Sequence, residues 1–196
     1  MENGNLCASA PWSDYRTQIK TLVVEDGITS LGRYGFYGLS ALTDVTIGTG
    51  VTAINNCAFE VCRSLVTITI PKNVTSIGQR AFANCSGITS LTIPDSVTTI
   101  GSHALSGCLS LESLTIPFVG KELRTSADTY QYPFGFIFGE NGLDGGVKTE
   151  QRYYGSSTRE TTATSYYIPA SLKSVTVTDG GGKGGGRGQE WSDPVL

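Results

Sequence analysis

The chain has 196 residues, a formal net charge of −3, 16% charged residues and 39% hydrophobic residues. Its charged fraction lies below the ~25% usual for soluble domains, which argues against a nucleic-acid partner held by electrostatics. No window approaches the ~18 consecutive apolar residues of a membrane span, so we expect no membrane insertion, and no signal peptide is visible in the first ten residues.

An internal repeat of 23 residues dominates the first part of the chain. Aromatic or large aliphatic residues recur in phase in all four copies, as at Phe36, Phe59, Phe82 and Leu105. A self-similar period of this length is typical of a solenoid, in which each copy buries its apolar side chains only against its neighbours. The four gapless copies are Ile28–Gly48, Val51–Pro71, Val74–Pro94 and Val97–Pro117.

Each copy contains one alternating segment and one short extended segment. In the fourth copy, Leu114 and Ile116 alternate with Ser113 and Thr115, which predicts a strand with one apolar and one hydroxyl face. Pro117 follows and ends the strand, because proline has no N–H to donate. The stretch between the two extended segments is too short for a regular helix and predicts a 3₁₀ or single helical turn. Stacked copies therefore predict parallel strands and continuous apolar columns.

The motif Leu65-x-x-Ile68-x-Ile70-Pro71, followed by Val74-x-x-Ile77-Gly78 and Ala81-Phe82-x-x-Cys85, resembles the BspA-type leucine-rich repeat. The resemblance implies a right-handed leucine-rich-repeat solenoid of the α/β-horseshoe type, β-rich with short 3₁₀ or helical turns. It also implies that residues around Trp12 form an N-terminal cover, followed by a first strand. Adhesion or recognition at an extracellular or cell-surface location is the role it suggests, and it carries no catalytic residues.

Beyond Pro117 the period breaks and returns only near Leu172, Val175 and Val177. The intervening residues hold ten of the chain's eighteen aromatics, so we expect a partly folded expansion with mobile loops at 140–147 and 155–164, since disordered linkers are poor in aromatics. Seven glycines among nine residues at 180–188 predict a flexible tail. The predicted organisation is an N-terminal cap (1–18), the solenoid (19–117), an aromatic-rich insertion or expanded repeat (118–165), a final partial repeat (166–179) and a flexible Gly-rich tail (180–196).

Few residues suit catalysis or metal binding. His103 is the only histidine and is expected to be an exposed, inert side chain. Cys62, Cys85 and Cys108 recur every 23 residues without the paired short spacing of a zinc site, so packed thiols are favoured over metal ligands or disulfides. We therefore expect no enzyme activity, no cofactor and no metal.

Two surfaces are candidates for binding. The outward strand positions form a lattice of hydroxyl groups that could contact a partner across several copies. Ser and Thr are also common on exposed strands without any binding role. A third alternative is that the array orders water, as in an ice-binding protein. Tyrosines of the expanded segment could add large rigid anchors, or pack on the solenoid end as a cover. The candidate binding residues are Thr46, Thr67, Thr69, Ser90, Thr92, Ser113, Thr115, Tyr130, Tyr132 and Tyr153.

The function expected from these features is non-catalytic recognition or adhesion, with a protein or glycan partner at a cell surface. The alternative is a structural spacer within a longer surface protein. If the segment near Val175 is the last strand of the array, its edge lacks a following copy. We therefore expect either self-association through this C-terminal edge strand or coverage of the edge by the insertion or the tail.

Overall fold

A computed structural model describes residues 12–119, 134–140, 145–154 and 161–178, with only the backbone described at 152–154 and 161–162. These residues contain eleven strands and two short 3₁₀ helices, Ser13–Tyr15 and Phe134–Ile137, and no α-helix. The strands are β1 (Thr21–Val24), β2 (Ser30–Leu31), β3 (Asp44–Ile47), β4 (Ala53–Ile54), β5 (Ser76–Ile77), β6 (Ser90–Thr92), β7 (Thr99–Ile100), β8 (Ser113–Ile116), β9 (Gly146–Tyr154), β10 (Thr161–Pro169) and β11 (Ser174–Val177).

The repeats stack as rungs of a β-solenoid with parallel strands on two sides, as the sequence predicts. The short extended segments form a four-stranded sheet in the order β2-β4-β5-β7, and the alternating segments give the pair β1-β3 and the sheet β6-β8-β11. Pairing is in register at the repeat spacing, so that Ile54 lies opposite Ile77 and Leu91 lies opposite Leu114. Equal side chains therefore stack directly upon each other.

The second copy departs from the predicted strand. Its alternating segment, residues 66–70, buries Ile68 and Ile70 and exposes Thr67 and Thr69, yet it forms no strand. The Val66 carbonyl accepts a hydrogen bond from the Thr89 backbone N–H at 3.3 Å. The side-chain alternation thus survives without a continuous strand ladder, since Ile68 and Ile70 remain buried.

The predicted apolar columns form the core. Leu42, Leu65, Ile88 and Leu111 are all completely buried, as are Phe59 and Phe82. The phenylalanine rings stack along the solenoid axis, with centroids 5.4 Å apart between Phe36 and Phe59 and 5.6 Å apart between Phe59 and Phe82. At ~1.5–3 kcal/mol for each fully buried side chain, these columns are the main favourable contribution to the fold.

Trp12 covers the N-terminal end of the aromatic column. Its ring stacks on Phe36 with centroids 5.5 Å apart, and its indole N–H donates to the Gly35 carbonyl at 3.0 Å. In the inner rungs the equivalent carbonyl, that of Ala58, accepts the backbone N–H of Phe36 in the preceding rung. Trp12 therefore replaces both the ring and the hydrogen-bond donor that a preceding copy would supply.

After the period breaks, the described residues complete one further rung. The turns that follow the short extended segments form one side of the solenoid, here called the turn side. The helix Phe134–Ile137 continues this side, because the carbonyls of Phe136 and Ile137 accept hydrogen bonds from the backbone N–H groups of His103 and Leu105. Strand β11 then pairs in parallel with β8, placing Val175 opposite Leu114 and Val177 opposite Ile116. Between this helix and β11, strands β9 and β10 pair as a hairpin.

This hairpin corrects the expected mobile loops. Strands β9 and β10 pair antiparallel over their full lengths, with Gly146 opposite Pro169 and Tyr154 opposite Thr161. Residues 146–147 and 161–164 are therefore strand and not loop, whereas 141–144 and 155–160 lie outside the described residues. The hairpin packs through Tyr166, which is buried, and through the Gln151 side chain, whose Oε1 accepts the Gly135 N–H at 2.7 Å.

Candidate functional site

The outward side of the alternating segments carries the predicted lattice of hydroxyl groups, here called the hydroxyl face. Thr46, Thr67, Thr69, Ser90 and Thr92 are exposed, and Ser113 and Thr115 are partly exposed. Strand register aligns these side chains into two columns across β6, β8 and β11, Ser90–Ser113–Ser174 and Thr92–Thr115–Thr176.

The hydroxyls of this face are not used to hold the fold. Within the described ranges, none of the seven candidate Ser and Thr side chains named above makes a hydrogen bond. The threonines beside the four-stranded sheet behave differently, since Thr75 Oγ1 donates to the Thr52 carbonyl and Thr98 Oγ1 to the Thr75 carbonyl, each at 3.2 Å. The chain therefore contains two threonine arrays, one structural and one with its hydroxyls free for solvent or a ligand.

The candidate tyrosines do not join this site on the described part of the chain. Tyr130 and Tyr132 lie outside the described residues, and only the backbone of Tyr153 is described, in strand β9 opposite Thr162. Their role as binding anchors stays a prediction. Among the residues placed by the structure, the hydroxyl face consists of small side chains only.

The repeated cysteines form a buried ladder of thiols. Cys62, Cys85 and Cys108 are completely buried, and each Sγ donates to the carbonyl of the phenylalanine 26 residues earlier, over 3.3, 3.1 and 3.2 Å. Burial raises the pKa of Cys85 well above its ordinary value and that of Cys108 to about 12. A raised pKa makes the Cys85 and Cys108 thiols poor nucleophiles, and the hydrogen bonds of all three thiols connect neighbouring turns.

The turn side of the solenoid holds a column of residues that the sequence repeat aligns with His103, but whose backbone conformation the sequence does not reveal. Tyr34, Cys57, Arg80 and His103 recur every 23 residues, and all four have a left-handed backbone with φ between 55° and 60°. Non-glycine residues rarely adopt this conformation. Arg80 is exposed, Tyr34 and His103 are partly buried, and Cys57 is buried. The 23-residue period aligns these four positions, but their differing side chains give no sign of the left-handed backbone.

His103 is not the exposed, inert side chain expected from the sequence. It is partly buried against Gly139 of the expanded rung, where an added Cβ would lie 2.1 Å from the His103 ring. Its Nδ1 is buried and has no hydrogen-bond partner among the residues that the structure describes. Burial lowers the pKa of His103, the nearby Arg80 lowers it further and Glu140 opposes the shift. The His103 imidazole is thus part of the contact between the fourth copy and the expanded rung.

Further along this side, a polar groove lies between the first three copies. It is lined by Arg33, Tyr34, Tyr37, Asn56, Gln79 and Arg80, among others. The Arg33 guanidinium lies over the Tyr34 ring at 5.0 Å, and Arg80 contacts the buried Glu60 carboxylate at 3.6 Å. Burial and the neighbouring Glu60 raise the pKa of Cys57 to about 11. The groove therefore contains no nucleophilic thiolate, and its arginines pair with neighbours on the protein.

Two further properties bear on function. Among residues 12–119 and the described segments that follow, no three His, Cys, Asp or Glu side chains are placed to hold a metal ion. In the same part of the chain, no helix has the length and hydrophobicity that a bilayer crossing requires.

The described rungs stack in parallel, bury a column of leucine and isoleucine side chains, and have short turns in place of helices. These features define a leucine-rich-repeat solenoid. Residues 14–131 match the model of the BspA type leucine rich repeat region in six copies. The match spans more than half of the chain, so the chain belongs to this family. It extends past the four gapless copies on both sides, taking in the rung of β1 and residues after Pro117.

Several solved structures are similar to the chain over about half of its length, and no curated protein matches it. A leucine-rich repeat protein of T. pallidum is 30% identical, covering 50% of this chain and 45% of its own, with a TM-score of 0.49. One from Bacteroides ovatus is 26% identical (51% and 32% covered, TM-score 0.45). A leucine rich cell surface protein of Faecalibacterium prausnitzii is 26% identical (53% and 40% covered, TM-score 0.35). The chain thus spans less than half the length of each.

Proposed function

We propose that this solenoid is a non-catalytic recognition module that binds a protein or glycan at a cell surface through its hydroxyl face. The observation that carries the proposal is the contrast between the two threonine arrays. The hydroxyls beside the four-stranded sheet, those of Thr52, Thr75 and Thr98, donate to carbonyls of the preceding rung. Those of the hydroxyl face are exposed or partly exposed and make no hydrogen bond within the described residues. The hydroxyls of the hydroxyl face are therefore available to a partner.

Repetition is what makes this face suitable for recognition. Strands β6, β8 and β11 each present two small hydroxyl groups, at the ~4.8 Å spacing of adjacent strands, and aligned rungs can contact one extended partner together. A single hydroxyl contributes little, about 0.5–1.5 kcal/mol for each hydrogen bond, so affinity depends on several rungs. The right-handed horseshoe curvature and the extracellular location implied by the family belong to this proposal, as does the lack of catalysis.

The hydroxyl face is tested with a glycan array and a pull-down from surface-protein extracts. A triple variant Thr67→Lys, Thr69→Lys and Thr92→Lys places three long cationic side chains on the face and is expected to abolish binding. A matched triple variant on and beside the other sheet, Asn55→Lys, Gln79→Lys and Thr99→Lys, adds the same charge at three exposed positions and should bind like wild type. Equal loss in both would locate the partner elsewhere.

A third variant tests the aromatic contribution. Changing Tyr130, Tyr132 and Tyr153 together to alanine should weaken binding more per residue than loss of a hydroxyl, because tyrosine is a preferred interface anchor. Binding that survives this change but not the lysine triple would assign the site to the hydroxyl face alone. If wild type binds nothing in either screen, the structural spacer is the better description. Binding should depend only weakly on salt, since few charges flank the face.

A further inference from the structure

Strands β1 and β11 are the two end strands of the hydroxyl-face side of the solenoid. Within the described residues, β1 pairs only with β3 and β11 only with β8, so each has one unpaired edge. An unpaired strand edge is a row of backbone donors and acceptors that another strand can use. Both strands are four residues long.

The two end strands occupy matching positions in the repeat. Leu22 and Val24 face the columns that continue through Val45 and Ile47, and Val175 and Val177 face the columns that continue from Leu114 and Ile116. Both end strands therefore pair with their neighbours in parallel and at the same positions of the repeat. If β1 of a second copy lay beside β11, its Leu22 and Val24 would extend the columns ending in Val175 and Val177.

Each end also leaves apolar surface open where a further rung would cover it. Val177 is 43% exposed, although Ile116 at the same repeat position is fully buried. At the other end, Ile28 is 47% exposed beside an open apolar groove lined by Trp12, Leu22, Val24, Leu31 and Phe36. At ~25 cal/mol per Å², covering such surface favours association.

We propose that the chain self-associates head to tail, with the free edge of β11 in one molecule pairing in parallel with the free edge of β1 in a second molecule. The occupant is a second molecule because its β1 would pair with β11 as β8 does, in the same register and with the same apolar alternation, while Trp12 already covers the aromatic column on the turn side. Each contact leaves one unpaired edge at either end. Such a heterologous interface produces open-ended assembly and not a closed dimer.

The charges at the junction provide a signed test. Lys173 precedes β11 and pairs with Glu112 at 2.9 Å, and Lys20 occupies the equivalent position before β1. Head-to-tail contact brings Lys20 of one copy next to Lys173 of the other, a like-charge pair that weakens association. Lys20→Glu should therefore strengthen association, and the gain should diminish with added salt.

The assembly is measured on the full chain by sedimentation velocity over a range of concentrations. We expect the mean mass to rise beyond a dimer with concentration, Val177→Lys to remove the larger species and Lys20→Glu to increase them. Val147→Lys is the matched control, because Val147 is exposed to 54% but lies on β9, which pairs with β10 and is not an end strand of the array. A monomer at all concentrations in both wild type and Lys20→Glu would overturn the proposal, as would equal effects of Val177→Lys and Val147→Lys.

Orientation is tested by oxidative crosslinking in a background with Cys7 replaced by serine. Val23 and Thr176 share a repeat position on the end strands, and Cα atoms of adjacent strands lie within the ~4.4–6.8 Å that a disulfide spans. A mixture of Val23→Cys and Thr176→Cys chains should crosslink in pairs, whereas each variant alone should not. Crosslinking of either variant alone to the same extent would show an edge-to-edge contact of another orientation and contradict the proposal.

Discussion

The stacked phenylalanine column supports a quantitative prediction at Phe82. This ring is completely buried and lies nearly parallel to Phe59 at 5.6 Å, with Leu105 in the corresponding position of the next copy. Phe82→Ala removes the buried ring and leaves a cavity that neighbours on a repeating backbone cannot fill, so we expect a loss of ~3–5 kcal/mol. Phe82→Leu keeps most of the volume, as Leu105 does naturally, and should cost only ~1–2 kcal/mol.

Urea denaturation followed by circular dichroism measures these differences in the free energy of unfolding. Thr69→Ala on the hydroxyl face is the control and should stay within ~0.5 kcal/mol of wild type, because this hydroxyl makes no hydrogen bond among the described residues. Equal destabilisation by Phe82→Ala and Thr69→Ala would refute the inward and outward assignment of the two side chains. A Phe82→Leu variant as unstable as Phe82→Ala would refute the cavity argument.

Four further predictions concern the turns and the expanded rung. Val61 is a β-branched residue at φ 68°, so Val61→Asn should relieve backbone strain and stabilise the fold by ~1 kcal/mol in the same urea assay. Because the folded state lowers the pKa of His103, the free energy of unfolding should fall as the pH decreases below the ordinary histidine pKa of 6.5. His103→Asn should lose less stability than wild type between about pH 7.5 and about pH 5.5. Cys108, buried with a pKa of about 12, should resist alkylation in the native state and react on unfolding, as mass spectrometry of its peptide would show. Gly135→Ala would place a Cβ 2.2 Å from the Tyr166 ring and should speed proteolysis of the hairpin, while leaving cleavage within the four gapless copies unchanged.

The repeating core could be derived from the sequence because its determinants are local and recur. Leu65, Ile88 and Leu111 share one spacing, and stacking equal rungs in register is the arrangement that buries all of them at once. The alternation of Leu114 and Ile116 with Ser113 and Thr115 likewise determined which side of each strand is exposed. The family followed from the same residues.

The tertiary structure alone decided the features that depend on contacts between rungs. Burial of His103 requires Gly139, which is 36 residues away by number and reaches it only through the expanded rung. The β9–β10 hairpin is missed because its first strand mixes Lys, Glu, Gln and Arg without apolar alternation, so no periodicity marks it. The two threonine arrays read alike in the sequence, and only the position of the preceding rung's carbonyls decides that Thr75 is bonded while Thr67 is free. Side-chain periodicity determines which residues face the core, whereas hydrogen bonding and backbone strain depend on where the neighbouring rung lies.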